Sequence, residues 1–135
     1  QYSMKYDLEE RTVKLGEEII LLCKKVNLNT VNRPIVSQLV RSGTSIGANY
    51  AEANGASSKQ DFRNKIFICR KEAQETRYWL RMLSKCEQGL INEVGLLLEE
   101  CRQLILIFQK IGSTITAKTS KLKIDHWYLN ENWKL

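Results

Sequence analysis

Five cations on one line are the residues best placed to do chemistry in this sequence. Lys59, Arg63, Arg70, Arg77 and Arg81 fall within roughly 40° of one another at about 100° per helical residue. In a helix they form a basic stripe on the order of 30 Å long. Such a stripe tracks the phosphates of RNA or DNA, or it meets a carboxylate edge on the next copy of the chain in a ring. Asp61, Glu72 and Glu75 lie on the other side of the same segment, so it has a basic and an acidic edge. Arg41, a lone arginine among small residues, is placed to reach Glu72 or Glu75 on the next helix or subunit.

Catalysis has little to work with. Glu52, Glu72 and Glu75 are the carboxylates that would have to converge in a metal-dependent nuclease. No histidine supports them, because the only one is His126, too few for a histidine metal site or a triad. Cys23, Cys69, Cys86 and Cys101 form no CxxC pair. Each falls in a helical pattern, which predicts small buried thiols in a reducing cytoplasm. The expectation is a protein without catalytic residues, metal or cofactor.

Residues 42–57, SGTSIGANYAEANGAS, raise a different chemistry. A phosphate-binding loop needs GxxxxGK[ST] between a strand and a helix. Here Gly43 and Gly47 are too close together, and no lysine follows. A linker is excluded as well, since Ile46 and Tyr50 continue the helical period from Leu39. Gly43, Gly47, Ala51 and Gly55 recur every fourth residue and line one side of a helix. A line of such small residues lets another backbone approach closely. That neighbour is either a helix of the same bundle or a helix of another subunit. Each helical glycine costs about 0.5–1 kcal/mol against alanine, which packing must offset.

The elements that position these residues read as four helices. With 135 residues and 43% hydrophobic content, the chain is one domain with one core. Leu8, Thr12, Leu15, Ile19, Leu22 and Val26 share a face. So do Ile35, Leu39, Ile46, Tyr50 and Ala53, followed by Gly55 as C-cap. Ser57 with Gln60, or Ser58 with Asp61, reads as a capping box. A third face holds Phe62, Ile66, Cys69, Ala73, Thr76, Leu80 and Leu83, and Gly89 ends that helix. Asn92 reads as the cap of a fourth helix with Val94, Leu97, Leu98, Cys101, Leu104, Ile105, Phe108 and Ile111 on its apolar face. The predicted helices span about 5–28, 34–54, 58–88 and 93–118, within a bundle domain of residues 1–119. Short connections make this all-α chain an antiparallel, up-down four-helix bundle. Residues 120–135 form a basic tail with Trp127, Tyr128 and Trp133, suited to stacking on bases or to docking on a neighbouring bundle. Trp79 lies off the main apolar face and hints at an intersubunit contact.

No segment is long and apolar enough for a membrane span, and the first residues carry no apolar signal core. A cytoplasmic location is expected. The net charge of +6 and pI near 9.2 suit a polyanionic partner.

Two motifs carry a resemblance. Gln38, Arg41, Ser42, Ser45, Ile46, Asn49, Ala51, Glu52 and Ala53 fit Q-x-x-R-[AS]-x-x-S-I-x-x-N-x-A-E-[GA]. Glu72, Glu75, Thr76 and Leu80 fit E-x-x-E-T-x-x-x-L. Together these motifs resemble the bacterial four-helix bundle family of 23S rRNA intervening-sequence proteins, encoded within insertions in that rRNA. Where the first motif often ends in glycine, this chain has Ala53, with Gly55 two places later. The resemblance implies an up-down bundle that assembles into a ring-like homopentamer, with no established enzymatic activity. It assigns Gln38, Arg41, Ser45, Ile46, Asn49, Ala51, Glu52, Glu72 and Glu75 to the motif, and these together with Gly43 and Gly47 are the candidates for subunit packing. A related branch, the accessory proteins of diversity-generating retroelements, implies RNA or DNA and a reverse transcriptase as partners. A pentamer of this chain would carry about +30, five times its net +6, which favours a nucleic acid over a purely protein partner.

Overall fold

The structure, a computed structural model, describes residues 4–116. The helical periods of the sequence become four helices: α1 (Met4–Cys23), α2 (Asn32–Asn54), α3 (Lys59–Cys86) and α4 (Ile91–Thr116). No strand is present among the described residues. Residues 120–135, with Trp127, Tyr128 and Trp133, lie outside them, as does His126.

Contacts between consecutive helices run in opposite numerical order, so neighbours are antiparallel. Ser42 meets Thr76, Ile46 meets Cys69, and Glu52 meets Lys65. Across α1 and α2, Thr12 faces Gly47 and Ile19 faces Gly43. Phe67 of α3 lies against Gly112 of α4. The bundle closes through side chains that reach α4 from α1 and from the turn after it. Arg11 donates two hydrogen bonds of 2.9 Å to Glu100, and Lys25 pairs with Glu93.

Core residues come from the expected faces. Leu8, Leu15, Ile19, Leu39, Ile46, Tyr50, Ile66, Leu80, Leu83, Leu104 and Phe108 are fully buried. A buried side chain of this size contributes about 1.5–3 kcal/mol. A surface ion pair gives about 0–1 kcal/mol, so packing dominates the fold. Three thiols join the core, and burial pushes Cys23 up to about 11 and Cys69 and Cys101 up to about 12. These are inert packing groups. Of the buried hydroxyls of Thr12, Ser42 and Thr76, two meet: Thr76 Oγ1 lies 2.7 Å from the Glu72 carbonyl and 3.0 Å from Ser42 Oγ. A carbonyl only accepts, so the Thr76 proton goes there and Ser42 supplies its own to Thr76.

Several boundaries differ from the sequence reading, each for a local reason. Helix α1 stops at Cys23, not near residue 28. Asn29 Oδ1 accepts from the backbone N–H groups of Val31 and Asn32, and Asn32 Oδ1 accepts from that of Asn29. Those amide bonds organise the start of α2, while α1 itself closes with the tighter bonds from the N–H groups of Lys25 and Val26 to the carbonyls of Leu22 and Cys23. Val26 still packs into the core after the helix ends. Helix α2 starts at Asn32, so Pro34 sits in its first turn, where a missing N–H does no harm. Gly55 follows α2 as expected, but with φ −100° it needs no left-handed backbone. Of the two possible capping boxes, Ser58 with Asp61 forms. The Ser58 hydroxyl accepts from the Asp61 N–H at 3.0 Å, and Asp61 Oδ2 accepts from the N–H of Ser57. Helix α3 ends at Cys86, before Gly89, which lies in a 3-10 turn at Gln88–Leu90. That turn runs straight into α4 at Ile91, so Asn92 sits inside the helix and does not cap it.

Candidate nucleic-acid interface

Helix α3 holds most of the charge asymmetry. It carries eight Lys or Arg against three Asp or Glu, which is five of the chain's six net positive charges. Its two edges meet different neighbours. The acidic edge turns to α2, where Arg41 Nη2 lies 2.5 Å from Glu75 Oε2 and 3.4 Å from Glu72 Oε1. Gln38 accepts from Arg41 Nε at 3.3 Å, and Trp79 Nε1 donates to Glu75 at 3.1 Å. The hydrogen bond from Arg41, then that from Trp79, holds the Glu75 carboxyl below the usual carboxylate range. The bonds to Glu75 and then to Glu72 raise Arg41. Of the two reaches open to Arg41, the structure shows the one within the chain. Trp79, half-buried here, is also engaged within the chain.

The basic edge turns toward α4. Lys59 and Arg63 flank Ile115 in a shallow depression at one end. Arg77 and Arg81 flank Gly95, Leu98, Glu99 and Arg102 in another of about 290 Å³. Arg70 lies between them, half-buried, its Nε shielded and without a hydrogen-bond partner. Lys59, Arg70, Arg77 and Arg81 pair with no carboxylate among the described residues. On the α4 side Glu99 is held by Arg102, at 2.7 Å, and by Gln103, which brings its carboxyl down to about 2. The structure therefore sets the five stripe residues on one accessible edge, with Arg102 and Glu99 as a balanced rim.

The small-residue line divides. A Cβ at Gly43 would lie 2.5 Å from Ile19 Cδ1, and one at Gly47 would lie 3.3 Å from the carbonyl oxygen of Thr12. Both are filled by α1 of the same chain. Gly16 of α1 faces this line, its added Cβ 3.5 Å from the Gly43 carbonyl oxygen; the sequence reading missed it. Ala51 and Gly55 are exposed beyond the contact. The remaining motif residues act locally. Ile46 is buried, Ser45 Oγ donates to the Arg41 carbonyl at 2.6 Å, and Asn49 Nδ2 donates to the Ser45 carbonyl at 2.8 Å. Glu52 pairs with Lys65 at 2.6 Å. Thus Glu52, Glu72 and Glu75 are each drawn to a cation and do not converge. No group of three His, Cys, Asp or Glu able to hold a metal occurs among the described residues. Nor is any described helix long and apolar enough to cross a membrane.

Sequence reasoning also passed over Phe67 and Tyr78. They lie roughly 60° and 80° from the centre of the basic stripe at about 100° per residue, and 37% and 51% of their surface is in water. The available signal was two aromatics off the apolar period of a lysine- and arginine-rich helix.

Comparison with known proteins places this geometry. No protein of curated function matches the chain. Among solved structures it is similar to a protein of unknown function from the S23 ribosomal protein family of Bacteroides thetaiotaomicron. That likeness has 32% identity and a TM-score of 0.67, and it covers 78% of this chain and 97% of the other. A family model described as 23S rRNA-intervening sequence protein matches residues 4–121. Four antiparallel helices, the two motifs joined at the contact of α2 with α3, and this match across the bundle lead to one conclusion: the chain belongs to the 23S rRNA-intervening sequence protein family.

Proposed function

We propose that this protein is a non-enzymatic, oligomeric helical-bundle protein of the cytoplasm that binds RNA or DNA through the basic edge of α3. The observation that carries the proposal is the separation of the two edges. Arg41 engages Glu72 and Glu75 within the chain, whereas Lys59, Arg70, Arg77 and Arg81 have no carboxylate partner among the described residues. An acidic edge already occupied is poorly suited to neutralise the basic edge of a neighbouring copy. A row of unneutralised cations at helical spacing suits the regular charge of a phosphate backbone.

The test is binding of labelled structured RNA and matched DNA, followed by fluorescence anisotropy across a salt series. Affinity is expected to fall steeply with salt. The double variant Arg77→Ala/Arg81→Ala, at unchanged oligomer mass, is expected to lower the log–log salt slope by about two. Absence of binding at low salt overturns the proposal.

A second reading has its own observation. At the α1–α4 seam, Leu21 and Leu96 are 59% and 75% exposed around a depression lined also by Glu18, Leu22, Lys25, Glu93 and Leu97. Exposed apolar groups of this kind mark protein contacts. They support a scaffold or adaptor in which the chain assembles on itself, as a pentamer, or binds a protein such as a reverse transcriptase. Leu96 of this seam is next to Gly95, which lines the depression flanked by Arg77 and Arg81, so assembly through the seam would bring a neighbour close to that end of the basic edge. If Arg77→Ala/Arg81→Ala dissociates the oligomer before it changes ligand affinity, the basic edge serves assembly and the scaffold reading replaces the first.

A further inference from the structure

The outer face of α3 is more than a row of charges. Phe67 and Tyr78 project from it with 37% and 51% of their surface exposed. They are eleven positions apart, about 16 Å along the axis at ~1.5 Å per residue. Arg70, Lys71, Gln74 and Arg77 lie in the interval. Both rings are held in place from behind. The guanidinium of Arg63 sits 4.8 Å from the Phe67 centroid, and the ring's edge rests where Gly112 of α4 has no side chain. Tyr78 stands edge-on to Trp79, centroids 4.9 Å apart at 80°. Trp79 is fixed in turn by Glu75.

Exposed aromatics on a helix are costly in water, whereas a basic surface is not. A duplex offers this face only phosphates, because its bases are already stacked on one another. A single strand offers phosphates and open base faces together, and base–aromatic stacking tolerates any sequence. The spacing of the rings corresponds to about five nucleotides at duplex rise and fewer in a stretched strand. From this combination of held, exposed rings and interleaved cations, we infer that the outer face of α3 is a stacking platform for single-stranded nucleic acid, with bases on Phe67 and Tyr78 and phosphates along Arg70, Lys71 and Arg77. The inference rests on the nucleic-acid reading above and narrows it to unpaired strands.

The experiment compares oligo(rU) and oligo(dT) with a hairpin duplex, by anisotropy on the full chain, for the parent, Phe67→Leu/Tyr78→Leu and Phe67→Trp. Leucine keeps apolar cover over Gly112 while removing the ring. The parent is expected to prefer single strands. The double leucine variant should lose about ten-fold in single-strand affinity per ring, with duplex affinity and salt slope unchanged. Phe67→Trp, which restores a ring should leucine unsettle the fold, should bind single strands at least as well as the parent. Equal affinity for both forms, or single-strand affinity unmoved in the leucine variant, overturns the platform and leaves phosphate binding standing. A loss that tracks a fall in oligomer mass also overturns it and assigns the rings to assembly. No binding to either form at low salt overturns both readings.

Discussion

Removing the guanidinium of Arg41 leaves two carboxylates without their shared partner. Glu72 and Glu75 side chains are 17% and 34% exposed, against 46% for Arg41. The pair is partly screened, so Arg41→Met is expected to cost about 1 kcal/mol at neutral pH. The pH dependence follows from Glu75, whose folded pKa is depressed by the hydrogen bonds from Arg41 and Trp79. Its stabilisation is complete above the unfolded carboxylate value of about 4.3 and is lost as pH falls through the lower folded value. Thermal melts of parent and variant should therefore differ at neutral pH and converge in acid. A constant difference across that range would assign the effect of Arg41 to packing alone. This cluster was half legible in the sequence. Motif spacing placed Arg41 near Glu72 and Glu75, but a helical wheel does not say which chain supplies the partner.

At the scale of the element, Gly43 and Gly47 of α2 and Gly95 of α4 have opposite meanings. Gly43 and Gly47 let α1 lie close to α2, with Ile19 and Thr12 filling the space. Gly95 of α4 has nothing within 4 Å of an added Cβ. Gly43→Ala is expected to destabilise by about 1–3 kcal/mol, because Ile19 is buried and cannot withdraw freely. Gly95→Ala is expected to stabilise by about 0.5–1 kcal/mol, since only helix propensity changes. Chemical denaturation of the two variants checks both signs. The periodicity of α2 showed that glycines 43 and 47 share a side. It did not show that α1 fills the space, nor that Gly16 lies opposite, because a period describes one helix and packing needs two.

The whole molecule separates its surfaces. An apolar seam lies at α1 and α4, and α3, on the other flank of α4, carries most of the positive charge. If the proposed ring forms through that seam, sedimentation should report about 79 kDa, five times the 15.7 kDa of one chain. Leu21→Glu/Leu96→Glu should then reduce the mass while the monomer stays helical by circular dichroism. Sedimentation of the parent at 15.7 kDa would overturn the ring.

Much of this molecule follows from sequence alone, for a physical reason. A 3.6-residue period writes an amphipathic helix locally, so four helices and most of their core faces were readable, and the cap of α3 was narrowed to Ser57 or Ser58. The basic stripe was readable too, as a line on one helix. Helix ends were less so, since α1 closes at Cys23 through the tighter bonds of Lys25 and Val26 while buried Val26 keeps the apolar period, and periodicity does not register that change. Only the tertiary structure decided which edge of α3 meets which neighbour. It turned Glu72 and Glu75 to Arg41 of α2, set the arginines toward α4, and left Phe67 and Tyr78 in water. Those outcomes depend on which helices pack side by side, and that is set by the summed burial of all four faces at once.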